Sequence, residues 1–154
     1  MVDISHVADK TFYDALAVSS APLIASHSAC RALANVPRNM TDQMIIELAK
    51  KGGVVQVNFY CNFLNADRPP HATLDDVIAH IGHIRQIAGI DAIGIGSDFD
   101  GIDCAPAGLE DVSKFPNLTR ALLEKRYSAA DIRKIYGGNL LRVMKAVEHV
   151  AAAK

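Results

Sequence analysis

The chain has 154 residues, half of them hydrophobic and 21% charged, with a formal net charge of −1. Length and composition fit a single ordinary globular domain. The charge balance excludes the basic footprint of a nucleic-acid-binding protein and a polybasic membrane patch, and no apolar run reaches the roughly 20 residues of a membrane-spanning helix.

Met1-Val2-Asp3-Ile4-Ser5-His6 has neither the basic nor the long apolar region of a signal peptide. Val2–Ser5 reads as the tail of a strand. Asp9–Val18 reads as a helix, with Phe12, Ala15 and Leu16 at i, i+3, i+4 spacing. Leu23–Ser26 is a short apolar strand. Thr41 opens a helix to about Lys51, with Met44, Ile45 and Leu48 on one face and Gly52-Gly53 as its stop. Val54–Phe59 is the next strand, and Arg68-Pro69-Pro70 marks a loop. Thr73 opens a helix to Ala88 with Val77, Ile78, Ile81 and Ile84 as its stripe, and Gly89 ends it. Ala92–Ile95 is a further buried strand, followed by a long loop over Phe99–Pro116. Three helical stretches follow: Asn117–Lys125, Ser128–Tyr136 with a capping box at Ser128 and Asp131, and Asn139–Ala153.

The order is four repeats of strand and helix, with strands too apolar for a half-solvated antiparallel sheet. This predicts a parallel sheet covered by helices. No G-x-G-x-x-G or phosphate-binding loop is present, so a nucleotide-binding sheet has no support. Four such units make half of a (β/α)8 barrel, or a small open α/β sheet. The cysteines Cys30, Cys61 and Cys104 are odd in number and widely spaced. That argues against a disulfide framework or a cysteine-zinc site and predicts reduced, buried thiols.

The strand ends carry the chemistry: Ser5-His6, Ser26-His27-Ser28, Asn58-Phe59-Tyr60 and Ser97-Asp98-Phe99-Asp100. Barrel enzymes assemble their sites from such ends. Two histidines and an aspartate there form a metal-hydrolase constellation, since neutral imidazole and carboxylate suit zinc. The plainer alternative is a pair of hydrogen-bonded loop histidines. His80 and His83 fit helix packing better than metal binding, and His71 and His149 read as solvent residues. Asp98 and Asp100 alternate along an extended segment, so only one should face a site. Arg38 could clamp a carboxylate or lie on a surface loop.

Taken together, these segments resemble the membrane (renal) dipeptidase family of zinc metallopeptidases. The resemblance rests on Ile4-Ser5-His6-Val7-Ala8, Ala21-Pro22-Leu23-Ile24-Ala25-Ser26-His27-Ser28, Asn35-Val36-Pro37-Arg38-Asn39 and Val57-Asn58-Phe59-Tyr60. It continues through Gly94-Ile95-Gly96-Ser97-Asp98-Phe99-Asp100-Gly101, Gly108-Leu109-Glu110-Asp111-Val112 and Gly138-Asn139-Leu140-Leu141-Arg142-Val143. It implies a (β/α)8 barrel that holds two zinc ions and hydrolyses dipeptides. His6 and His27 would be ligands of one ion, and Asp98 the catalytic acid/base. Arg38 would pair with the substrate carboxylate, and Asn39 belongs to the same substrate-binding loop. The family's His-x-Asp ligand pair has no counterpart here. The resemblance therefore implies that residues 1–154 form a partial domain, the C-terminal half of the barrel with extra helices. Such a half would carry an incomplete site and be inactive or nearly so alone, with a homo-oligomer or a separate N-terminal half as its partner. The competing readings are a non-catalytic half-barrel remnant or pairing module, and another zinc amidohydrolase of the same barrel class.

Overall fold

A computed structural model describes residues 1–67 and 71–153 of the chain; the loop expected at Arg68-Pro69-Pro70 lies outside them. The strands β1 (Ile24–Ser28), β2 (Val54–Val57) and β3 (Ile93–Ile95) form a parallel sheet in the order β1-β2-β3. The expected fourth strand is corrected: Val2–Ser5 contributes only a parallel bridge, Asp3 to Ile24. Ile4 N–H donates to Ile24 O at 2.8 Å and Ile24 N–H to Val2 O at 3.0 Å. The chain then turns at Ser5-His6, where His6 adopts φ 67° and leaves the extended conformation. β1 has a register irregularity between Ala25 and Ser28, at Ser26-His27.

The helices lie where amphipathic spacing and caps predict. Helix α1 is Asp9–Val18, and α2 is Asp42–Lys50 with the Thr41 side chain accepting from Met44 N–H. After the short α3 (Cys61–Leu64) comes α4 (Leu74–Ala88), opened by a capping box between Thr73 and Asp76 and ended at Gly89. Helices α5 (Phe115–Glu124), α6 (Ala129–Arg133) and α7 (Asn139–Ala152) close the chain. The break expected after Tyr136 is a five-residue π-turn, Lys134–Gly138, that leads from α6 into α7.

The stripes of α2 and α4, with Phe12 of α1, bury against Ala25, Val55, Val57 and Ile93 in one continuous core. Val143 of α7 covers Ile24 and Val54 near the strand N-termini, with Leu140 and Val147 beside it. The site end of the sheet is thus left to the loops that follow the strands. His80 is fully buried as a packing residue: its Nδ1 accepts from Cys30 N–H at 3.0 Å and its Nε2 lies 3.0 Å from Leu64 O. His83 pairs with Asp42 at 2.7 Å. His71 and His149 are exposed.

The expectation of three reduced thiols is also corrected, because Cys61 and Cys104 form a disulfide with Cα atoms 5.7 Å apart. The two cysteines follow neighbouring strands, so the parallel sheet brings together residues 43 apart in sequence. Cys30 alone is free, and it is buried, with its thiol pushed up to about 12 by desolvation and by the charge of Asp42. Without reductant the native chain should therefore show no thiol reactive toward a maleimide, one after denaturation, and three after denaturation with reductant. Three thiols in the denatured chain before reduction would remove the disulfide.

Candidate functional site

Strand-end residues cluster at one end of the sheet. His6 Nε2 and His27 Nε2 lie 2.8 Å apart, with ring centroids 4.8 Å apart and planes inclined at 60°. His6 stands in the turn at Ser5-His6, and His27 lies in the irregularity of β1. Ser5 bridges the same two segments, since its Oγ accepts from His27 N–H at 3.0 Å and donates to His27 O at 3.3 Å.

A carboxylate stands behind His27. Asp3 Oδ1 accepts from Ser5 N–H and Ser26 N–H, each at 3.0 Å, and Asp3 Oδ2 accepts from Ser26 Oγ–H at 2.5 Å. Ser26 Oγ in turn lies 2.8 Å from His27 Nδ1. Desolvation pushes the Asp3 carboxyl up, but these hydrogen bonds from Ser26 and Ser5 outweigh it and hold the group below its ordinary value. His6 is held below the ordinary imidazole value by desolvation first, then by the positive charges of Arg38 and His27; Asp98 and Asp3 oppose them. His6, Arg38 and Asp98 therefore act on one another electrostatically.

Arg38 sits on a loop fixed from both sides. Ser28 Oγ–H donates to Arg38 O at 3.1 Å. Arg31 donates to Asn39 O at 2.8 Å and Pro37 O at 3.1 Å, and forks onto both carboxylate oxygens of Asp9 at 2.7 and 2.8 Å. The Arg38 guanidinium lies 5.3 Å from the centre of the Phe63 ring, and Nη2 reaches His27 O at 3.4 Å. Asn39 is buried, and its amide donates to Ala34 O and Phe63 O. Its side chain thus braces the loop from inside and leaves Arg38 as the group that faces the histidines.

Asp98 follows β3. The extended run expected over Asp98-Phe99-Asp100 is corrected: Asp98 has φ 64° and Phe99–Gly101 is a 3₁₀ turn, so alternation does not apply. The Asp98 side chain folds over Gly101, where a Cβ would meet Asp98 Oδ1 at 2.3 Å. Asp98 Oδ2 accepts from Asn58 Nδ2 at 3.0 Å, and Asn58 Oδ1 accepts from Tyr60 N–H. Asp100 is exposed. Gly96 lets β3 approach this corner, because a Cβ there would stand 2.0 Å from Ser26 O.

Sequence reasoning missed Asp3, Ser5, Ser26, Arg31 and Asn58 as supports. The spacing Asp3-x-Ser5 puts two polar side chains on one face of an extended segment, which is the signal that could have found the first two. The cleft beside the site, of 570 Å³, is lined by His6, Asp9, Arg31, Asn35 and Arg38 among others. A groove of 630 Å³ on the helical flank, against Arg85, Lys125 and Tyr127, holds none of these groups, so the chemistry selects the smaller cleft. Among the described residues no group of three or more His, Cys, Asp or Glu side chains is arranged to hold a metal, and no helix is long and apolar enough to cross a membrane.

Known proteins resemble this chain in sequence and fold. An uncharacterized dipeptidase of Schizosaccharomyces pombe, C965.12, is 47% identical over 152 residues, covering 98% of this chain and 36% of that protein. The dipeptidase tcpJ of Claviceps purpurea is 42% identical over 154 residues, again 36% of its length. The chain thus spans about a third of these relatives. A crystal structure of a metallopeptidase from Rhodobacter sphaeroides, liganded with a phosphinate mimic of the dipeptide L-Ala-D-Ala, superposes with a TM-score of 0.89 at 34% identity, over 95% of this chain and 42% of that one. The model of the membrane dipeptidase family, peptidase family M19, matches residues 1–154, and the chain belongs to that family.

Proposed function

We propose that this chain supplies one side of the active site of a zinc-dependent dipeptidase. His6 and His27 would hold a metal ion, Arg38 would bind the substrate's C-terminal carboxylate, and Asp98 would carry the proton. The observation that carries the reading is the convergence of the two Nε2 atoms to 2.8 Å beside Arg38. Two imidazole nitrogens on one zinc ion, each at about 2.1 Å, stand roughly 3.4 Å apart in tetrahedral geometry. A small opening of the pair admits the ion, so the donor set fits.

A bound zinc would supply an activated water near neutral pH. The remaining work falls to the chain's own groups. The guanidinium of Arg38, with its loop pinned by Ser28 and Arg31, presents a planar donor fork to a carboxylate. Asp98, held by Asn58, moves a proton toward the departing amine. A catalytic zinc ordinarily takes three protein ligands. Two histidines therefore make a partial site, and we assign the rest to the remainder of a (β/α)8 barrel.

The test is steady-state kinetics in a full-length dipeptidase that contains this segment. Arg38→Ala should raise KM for a dipeptide by about 10–100-fold, as the loss of a charged hydrogen-bonded pair of 1.5–3 kcal/mol requires, with much less change in kcat. An amidated dipeptide should lose the same factor with the parent enzyme and little more with the variant. Equal discrimination by both enzymes would take Arg38 out of carboxylate binding.

A further inference from the structure

The hydrogen atoms between Asp3 and His27 can be assigned by counting. Ser5 Oγ–H points to His27 O, so it has no proton for Ser26. Ser26 Oγ has one proton and three neighbours: Asp3 Oδ2 at 2.5 Å, His27 Nδ1 at 2.8 Å and Ser5 Oγ at 3.4 Å. Two oxygens at 2.5 Å repel unless a proton lies between them, and a carboxylate only accepts. The Ser26 proton is therefore committed to Asp3. The 2.8 Å contact must then run from His27 Nδ1–H to Ser26 Oγ. In the neutral ring His27 Nε2 is then left unprotonated, which makes His6 Nε2 the donor of the 2.8 Å contact between them.

We propose that Asp3 and Ser26 are positioning residues that lock His27 in the Nδ1–H tautomer and turn its Nε2 lone pair toward the site. The lock is a property of the chain itself. Its purpose, presenting that lone pair to a cation, rests on the metal reading above. Partners of this kind fix both ring orientation and ligand basicity, and Ser26 and His27 both lie in the register irregularity of β1.

The test is a long-range ¹H–¹⁵N correlation spectrum of the labelled chain, recorded above the ordinary imidazole value of about 6.5. His27 should appear with Nδ1 protonated and Nε2 bare. Asp3→Asn should invert it. The asparagine oxygen must stay on Ser5 N–H and Ser26 N–H, which puts its NH₂ against Ser26 Oγ. The serine proton then turns to His27 Nδ1 and the imidazole proton moves to Nε2. Ser26→Ala should release the tautomer, and Ser26→Thr should restore it. Zinc affinity, measured by competition with a chromophoric chelator, should fall about 10–100-fold in Asp3→Asn.

A parent spectrum with His27 protonated at Nε2 overturns the proposal, and needs no variant to fold. So does an Asp3→Asn spectrum that keeps Nδ1–H. If the tautomer inverts as expected while zinc perturbs neither His6 nor His27, the lock stands and the metal reading fails. If zinc shifts both histidines equally in the parent and Asp3→Asn chains with one common tautomer, the metal reading stands and the lock fails.

Discussion

Asp98→Asn, in a full-length dipeptidase that contains this segment, should lower kcat by about 10²–10⁴-fold while leaving the metal content unchanged. Amide nitrogen is a poor leaving group, and it departs only with a proton delivered in the transition state. Asparagine keeps the shape of the side chain and an oxygen to accept from Asn58 Nδ2, now 3.0 Å from Asp98 Oδ2. It removes the ionisable carboxyl, and with it the negative charge that acts on His6 and Arg38. The left-handed backbone at position 98 also tolerates asparagine better than most residues. Steady-state kinetics and elemental analysis check the result together. A near-normal kcat removes Asp98 from the mechanism. Loss of metal would make it a ligand, and the exposed Asp100 would then be the next carboxylate to examine.

The second large effect is on stability. Asn139 is buried at the start of α7, and its Nδ2 donates to Ile90 O and Ile93 O, each at 2.8 Å. One amide thus ties α7 to the entry of β3, at the end of the sheet away from the histidines. Asn139→Leu keeps the volume but leaves two carbonyls without donors. Each such loss costs about 1–3 kcal/mol, so about 2–6 kcal/mol should go from the unfolding free energy. Urea denaturation should show a lower midpoint at equal slope. A change below about 0.5 kcal/mol, the range of an ordinary surface substitution, would mean that water or a backbone shift satisfies both carbonyls.

The helices were legible because their signals are local. Thr41 and Thr73 cap where a hydroxyl should, Gly89 stops α4, and the Ile81 and Ile84 stripe faces the core. Strand existence and parallel order followed from apolar runs set between helices. What escaped depended on contacts distant in sequence. Nothing local in Cys61 announces Cys104, since the sheet register alone brings them together. At Asp98 the backbone is left-handed and its side chain lies over Gly101, where only the lack of a Cβ leaves room, and alternation cannot foresee that. Strand-end chemistry and family resemblance single out His6, His27, Arg38 and Asp98 as candidates, and the fold brings His6, His27 and Arg38 together. Asp3 and Ser26 could not be named that way, because their importance lies in a hydrogen bond spanning 23 residues. Asn39 stood in the right loop, yet its amide faces inward to Ala34 and Phe63.

The proposed site requires that His6 and His27 share one zinc ion. The direct measurement is anomalous diffraction at the zinc edge from crystals of a full-length dipeptidase that contains this segment, with and without His27→Ala. The expected result is a zinc peak within about 2.1 Å of both Nε2 atoms, lost or displaced in the variant. A zinc peak bonded to neither histidine, or one unmoved by His27→Ala, would contradict it.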